Sequence, residues 1–254
     1  MSLTALLPPG IDAASALFLV LLSVFTSALT AALGIGGGMV LLAAMTFFVP
    51  VAALIPVHGA VQLGSNAGRS LVLARDVDLR LIGPFTVGAA MGALIGAVLV
   101  TDLPETVLLL FIGVFVSVST WIKLPPLGRG ERAVLFTGGL GATILTMFVG
   151  ATGPFVMALL RQAQLPHRVL VATNGAAMTV QHLLKVGAFA LLGFAFARWL
   201  PLVTAMIGSG FLGTLMGKRL LDRLPEKTLG WGLKFLLTVV GVQLIVRAII
   251  ALLP

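Results

Sequence analysis

A chain of 254 residues that is 59% hydrophobic and 9% charged cannot cover a soluble surface, because an ordinary soluble domain carries about 25% charged residues. Its mean hydropathy is +1.16, and its apolar stretches run unbroken for roughly twenty residues, which predicts membrane-spanning helices rather than alternating barrel strands. The net charge of +8 does not indicate nucleic acid, since the cations lie between apolar segments, and the absence of cysteine excludes disulfides and thiolate metal sites.

Met1 to Gly10 has no basic region ahead of the first apolar stretch, so no cleaved signal peptide is expected. Segment 12–33 is long enough to span. It stops at Gly34-Ile35-Gly36-Gly37-Gly38. Segment 39–50 reaches only about 18 Å, against a hydrocarbon core of about 30 Å, and reads as a half-helix. Segment 57–74 carries Gln62, Asn66 and Arg69 at a spacing that places them on one helix face. Segments 81–101 and 105–123 follow, then a polar connection over 124–132.

The second half repeats this order. Segment 132–150 stops at Gly150-Ala151-Thr152-Gly153-Pro154. Segment 154–162 reaches about 14 Å and is the second half-helix. Segment 168–197 presents Asn174, Gln181 and Lys185 on one face with His182 beside it, and its length implies a tilt or an interruption. Segments 199–220 and 227–252 complete the chain. The predicted fold is an all-α polytopic membrane protein of about eight full transmembrane helices plus two half-helices. Two repeats of five segments, 1–126 and 127–254, form a single membrane domain with no soluble domain.

Short matches support a duplication. Gly34–Gly38 matches Gly150–Pro154, and Pro56-Val57-His58 matches Pro166-His167. Ser65-Asn66-Ala67 matches Thr173-Asn174-Gly175, and Leu103-Pro104-Glu105 matches Leu224-Pro225-Glu226. Cations cluster in four connections: Arg75 with Arg80; Lys123, Arg129 and Arg132; Arg161 with Arg168; and Lys218, Arg219, Arg223 and Lys227. The opposite connections hold Asp102, Glu105 and Arg198. If every segment crosses, the four basic connections are cytoplasmic and the repeats are inverted. If the short segments re-enter instead, the halves are parallel and the charge bias is poorer.

The carboxylates Asp12, Asp76, Asp78, Asp102, Glu105, Glu131, Asp222 and Glu226 all fall at segment ends or in connections. The spans therefore contain cations and amides but no acid. An anion is the natural complement of such an interior. Both half-helices start at a glycine break, where free amides and the positive dipole end form an anion site. Arg69 reads either as a ligand cation or as a side chain that snorkels to the interface, whereas Lys185 lies nearer mid-segment. Lys234 reads as a snorkelling residue. Asn66 and Asn174 read either as ligands or as interhelical glue. His58 and His167 sit at segment entrances, where solvation is expected. The histidines lack metal-site spacing, so neither a metal nor any other cofactor is expected.

At these residues the chain resembles the sulfite exporter TauE/SafE family. The resemblance rests on Gly34-Ile35-Gly36-Gly37-Gly38, on the stretch from His58 to Asp78, and on the second-half echo at Gly150–Pro154 and Ala172–Gly175. It departs where Gly64-Ser65-Asn66 replaces the usual Gly-Thr-Ser and where the second glycine motif is degraded. The resemblance implies a multi-pass permease of the bacterial inner membrane that exports sulfite or an organosulfonate.

Together these readings give a secondary transporter of a small anion, working by alternating access with a midplane site. Arg69 and Lys185 are expected to neutralise substrate charge. Amides of Gly36, Gly37, Gly38, Thr152 and Gly153 are expected to bind its oxygens. Gln62, Asn66, Asn174, Gln181 and His182 are expected to shape the site. A passive anion channel and a permease for a non-sulfur carboxylate or oxyanion remain alternatives. An enzyme is disfavoured, since no nucleophile lies with a base and carboxylate. The expected partners are the anion and membrane lipids, not nucleic acid, and a homodimer stays open.

Overall fold

The computed structural model describes residues 7–8, 10–100, 104–121, 131–221 and 226–252. Lys123, Arg129, Arg223, Asp102 and Asp222, and the matched Leu103 and Leu224-Pro225, lie outside the described residues.

Asp12 starts α1 (Ala13–Leu33) by accepting from the Ser15 amide, and Gly34 ends it at φ 78°. That left-handed angle suits glycine, which has no Cβ to clash. α2 (Gly37–Met45) is nine residues long. α3 (Val51–Val72) follows Pro50, and α4 (Leu79–Leu99) is capped by the Asp78 side chain. α5 is Glu105–Trp121. α6 (Glu131–Val149) ends at Gly150, whose φ is 83°. α7 (Gly153–Arg161) is again nine residues, and α8 (His167–Leu191) follows Pro166. α9 (Leu200–Leu221) and α10 (Glu226–Ile250) close the fold.

The described residues are all-helical or irregular. The helices at Ala13–Leu33, Leu79–Leu99, Glu131–Val149 and Phe196–Leu221 are four that are long and apolar enough to cross a membrane. α3 and α8 are comparably long, at 22 and 25 residues, but carry polar faces. Three boundaries differ from the sequence reading by five residues or more. α2 ends at Met45 rather than near residue 50. α3 starts at Val51 rather than near residue 57, because Pro50 precedes the first turn and Pro56 lies inside the helix. α8 stops at Leu191, where a turn containing Gly193 at φ 88° interrupts the long eighth segment.

The antiparallel pair α3 and α8 forms the centre. Its direction follows from Gly59 lying against Lys185 while Gly175 lies against Arg69. Around it, α1 packs parallel to α9 and α4 packs parallel to α6. Both contacts rest on glycines pressed against backbone. Gly213 and Gly217 of α9 meet the Val24 and Ala28 carbonyls of α1, while Gly88 and Gly92 of α4 meet those of Phe136 and Leu140 in α6. A Cβ at any of these glycines would collide with a carbonyl oxygen. In lipid, where apolar surface gains little from association, such close backbone approach is what holds helices together. α5 pairs antiparallel with α10, fastened by Trp121 Nε1 donating to Thr238 Oγ1 at 2.9 Å. Lys234 Nζ sits 5.1 Å from the Trp121 ring centroid and 5.6 Å from that of Trp231, so its charge is held by aromatic faces. Exposed Leu17, Leu21, Phe25, Leu94, Val98 and Leu212 form outer faces suited to lipid.

The charged ends tie neighbouring helices together. Arg168 Nε donates to Asp76 Oδ2 at 2.8 Å, joining the turn after α3 to the start of α8. The Asp78 amide donates to Thr173 Oγ1 at 2.9 Å across the same junction.

Candidate substrate site

Helix boundaries pair the two halves by a constant displacement. Gly34 corresponds to Gly150, Gly37 to Gly153, Pro50 to Pro166 and Arg69 to Lys185. The same displacement pairs His58 with Asn174 and Asn66 with His182. The matches of Pro56-Val57-His58 with Pro166-His167 and of Asn66 with Asn174 are therefore out of register. Both came from local similarity that ignored where the helices start.

The two cations have equivalent surroundings. Arg69 is 2% exposed and Lys185 is 0% exposed. Neither snorkels. Arg69 Nη1 donates to Thr30 O at 3.1 Å, one turn before the end of α1. Lys185 Nζ donates to Thr146 Oγ1 at 3.2 Å and to Gly150 O at 2.8 Å, at the end of α6. Each charge thus meets the carbonyl end of the helix that runs into its glycine break. That end carries the negative pole of the helix dipole, and Thr30 O accepts from Arg69 in addition to the Gly34 amide. A carboxylate is not needed to hold either cation at this depth.

Beyond this the ends diverge. Arg69 Nη2 donates to Asn66 Oδ1 at 2.6 Å, and Asn66 Nδ2 donates to Gln62 O at 2.7 Å. Arg69 Nε has no partner. At the other end Thr152 Oγ1 donates to Gln181 Oε1 at 2.8 Å, and Gln181 Nε2 donates to Thr143 Oγ1 at 3.3 Å.

A cavity lies between α2, α3, α7 and α8. It is lined by Gly34, Gly36, Gly38, His58, Gln62, Asn66, Arg69, Gly153, Pro154, Asn174, Met178 and His182, among others. About 30 Å³ is open to the centre of a water molecule, room for about two waters. Of the residues expected at the site, Gly36, Gly38, Gln62, Asn66, Arg69, Gly153, Asn174 and His182 are brought together here. Gly37, Thr152, Gln181 and Lys185 lie outside the lining. Both half-helices turn their N-terminal residues toward the cavity, and among the described residues no carboxylate lines it.

His58 is the residue that sequence reasoning misplaced. It was expected to be solvated at a segment entrance, yet it is 0% exposed. Because α3 begins at Val51, His58 lies two turns inside the helix. Its Nε2 lies 2.8 Å from Gly38 O, and its ring meets that of His182 edge-on at 6.3 Å. The signal was present in its correspondence with Asn174, once Pro50 rather than Pro56 is matched to Pro166.

The profile of the sulfite exporter TauE/SafE family matches residues 19–244, which include every residue of this cavity. The chain belongs to that family. This TauE/SafE member is 28% identical over 222 residues to "Probable inner membrane transporter protein TsaS" of Comamonas testosteroni, covering 82% of each chain. No solved structure matches it. The TauE/SafE chain is thus a member of a membrane transporter family described as sulfite exporters, and its four long apolar helices among the described residues fit a multi-pass membrane protein.

Proposed function

We propose that this chain exports sulfite or a small organosulfonate by alternating access, with the anion bound between two inverted halves. The observation that carries the reading is the cavity: the N-terminal residues of two half-helices and a buried arginine converge on it. Helix N-termini favour anions through free amides and the positive dipole end. The arginine adds a charged donor with one nitrogen still unpartnered.

Several features support the inverted arrangement. α3 and its counterpart α8 run antiparallel. α1 packs on α9 as its counterpart α6 packs on α4. The basic connections containing Arg75, Arg80 and Arg168 then share one side, cytoplasmic by charge bias. On that orientation the Arg69 end of the cavity faces the cytoplasm and the Lys185 end faces the periplasm. In this reading Arg69 contacts the substrate. Lys185 holds the second break in shape, because its donors are engaged by Thr146 and Gly150. Gln62 and Asn66 orient Arg69, and Thr152 and Gln181 brace the start of α7.

Rocking of one half against the other would open the cavity to each side in turn. The glycine-backed contacts of α1 with α9 and of α4 with α6 are the surfaces on which one half would move. An anion moving outward is also driven by the negative-inside potential.

The test is uptake by proteoliposomes offered sulfite, sulfate, thiosulfate, sulfonates and carboxylates. Saturable sulfite or sulfonate uptake with counterflow is expected. Flux that neither saturates nor shows counterflow would identify a channel, and preference for carboxylates would overturn the sulfur-oxyanion assignment.

A further inference from the structure

We infer, building on the anion site proposed above, that its ligand must carry a hydrogen-bond donor beside its anionic oxygens. The preferred class is a monoprotonated oxyanion or a sulfonate bearing N–H or O–H, rather than a donor-free anion. The inference comes from which buried groups lack partners.

Asn174 Nδ2 donates to Gly34 O at 2.9 Å. Since a carbonyl can only accept, this contact fixes which side of the amide is nitrogen. The remaining atom, Oδ1, is a buried acceptor with no partner, on a residue 1% exposed that lines the cavity. No anionic oxygen can satisfy it, because both are acceptors.

The orphaned donor is equally specific. Arg69 Nε points to no acceptor, while the other two nitrogens are engaged by Thr30 O and Asn66 Oδ1. The cavity therefore offers a donor, Arg69 Nε, and an acceptor, Asn174 Oδ1, while His182 Nδ1, also buried without a partner, joins either set according to its tautomer. A purely anionic ligand satisfies the first set and repels the second. Hydrogen sulfite, or a sulfonate with an amino or hydroxyl group, satisfies both. A site with a buried hydrogen-bonding group rejects the analogue that leaves that group unpaired.

Sulfamate and methanesulfonate test this directly. They are tetrahedral monoanions of nearly equal size, and differ by an NH2 against a CH3. Binding to the purified full-length protein is measured by isothermal calorimetry at fixed pH. Sulfamate is expected to bind at least about tenfold more tightly, the cost of one unpaired buried acceptor. Asn174→Leu should reduce that ratio several-fold while methanesulfonate binding changes less. Asn174→Ala, measured separately, should reduce it as well, so a folding defect in one variant leaves a second measurement.

Equal affinity for the two ions, or tighter binding of methanesulfonate, overturns the inference and leaves the anion-exporter reading intact. A protein that binds neither ion, and transports neither sulfite nor sulfonates in liposomes, overturns both.

Discussion

Arg69 and Lys185 occupy corresponding places in the two halves, yet their partners differ. Each is buried, each reaches the carbonyl end of the helix before its break, and each passes a glycine of the opposite central helix. Arg69 lines the cavity and keeps one nitrogen unpartnered, whereas Lys185 lies outside the lining with Thr146 and Gly150 as its partners. The difference follows from side-chain chemistry. A guanidinium spreads donors around a planar fork, so it can hold the protein with two nitrogens and offer a third. An ammonium is a point charge, and two short contacts at one helix end absorb it. On the proposed reading, a duplicated scaffold keeps one cation for structure and frees the other for a ligand.

Removing Arg69 is the strongest way to break this comparison. Arg69→Ala should lower sulfite or sulfonate transport at least about a hundredfold, since hydrogen bonds to charged groups are each worth about 1.5–3 kcal/mol. Folded yield should change little by comparison, as measured by size-exclusion profile. Arg69→Lys should recover only part of the activity, because the fork is lost. Transport by Arg69→Ala at the normal rate would sink the site.

Lys185→Met should show the opposite balance. It removes one of the two donors to the Gly150 carbonyl, which keeps only Thr146 Oγ1 at 3.1 Å, a loss of about 1.5–3 kcal/mol for a charged hydrogen bond. The thermal midpoint in detergent should therefore fall, with a smaller transport defect than that of Arg69→Ala. Equal transport loss with unchanged stability would place Lys185 on the substrate as well.

The two glycines sharpen the contrast further. A Cβ at Gly59 would lie 2.7 Å from Lys185 Cε, and one at Gly175 would lie 2.9 Å from Arg69 Nε. Overpacking of this kind typically costs about 1–3 kcal/mol. Gly59→Ala should act mainly on thermal stability. Gly175→Ala should act mainly on substrate KM, by displacing the guanidinium. If the two variants have the same phenotype, the division of labour is wrong.

The smallest effect is expected at the rim near Arg69. There the Asp78 side chain caps α4 and its amide donates to Thr173 of α8. The hydrogen bond from Arg80 holds the Asp78 carboxyl below its usual 3.8. A carboxyl with a lowered folded-state pKa contributes stability fully above the ordinary carboxylate range and loses it as pH falls through the lowered value. The Asp78 side chain is 12% exposed but its partner Arg80 is 87% exposed, so solvent screening keeps its share to a fraction of the about 1 kcal/mol typical of a cap. Thermal melts from pH 7 down to pH 3 should show a slightly shallower acid decline for Asp78→Asn than for the parent. An identical decline would remove Asp78 from the account.

Much of this architecture was legible from residue order. The breaks at Gly34–Gly38 and Gly150–Pro154 identified two half-helices, because apolar length and glycine content are local properties. The shared face of Gln62, Asn66 and Arg69 followed from helical periodicity alone, and all three are buried in α3. His58 was not legible, because two prolines lie near the start of α3 and local rules favour either as a boundary. The grouping of Asn174 and His182 with the first break was also out of reach, since it depends on α8 running antiparallel to α3.

Composition and periodicity alone establish a membrane chain with helical spans that cations and amides but no acids enter, and they do so without knowledge of any contact. What holds the buried charges, which of them lines the cavity, and which polar atoms remain without partners emerge from the packing of the helices. Those depend on the ends of α1 and α6 meeting α3 and α8, and a hydrogen bond between residues far apart in the chain leaves no periodic trace in sequence.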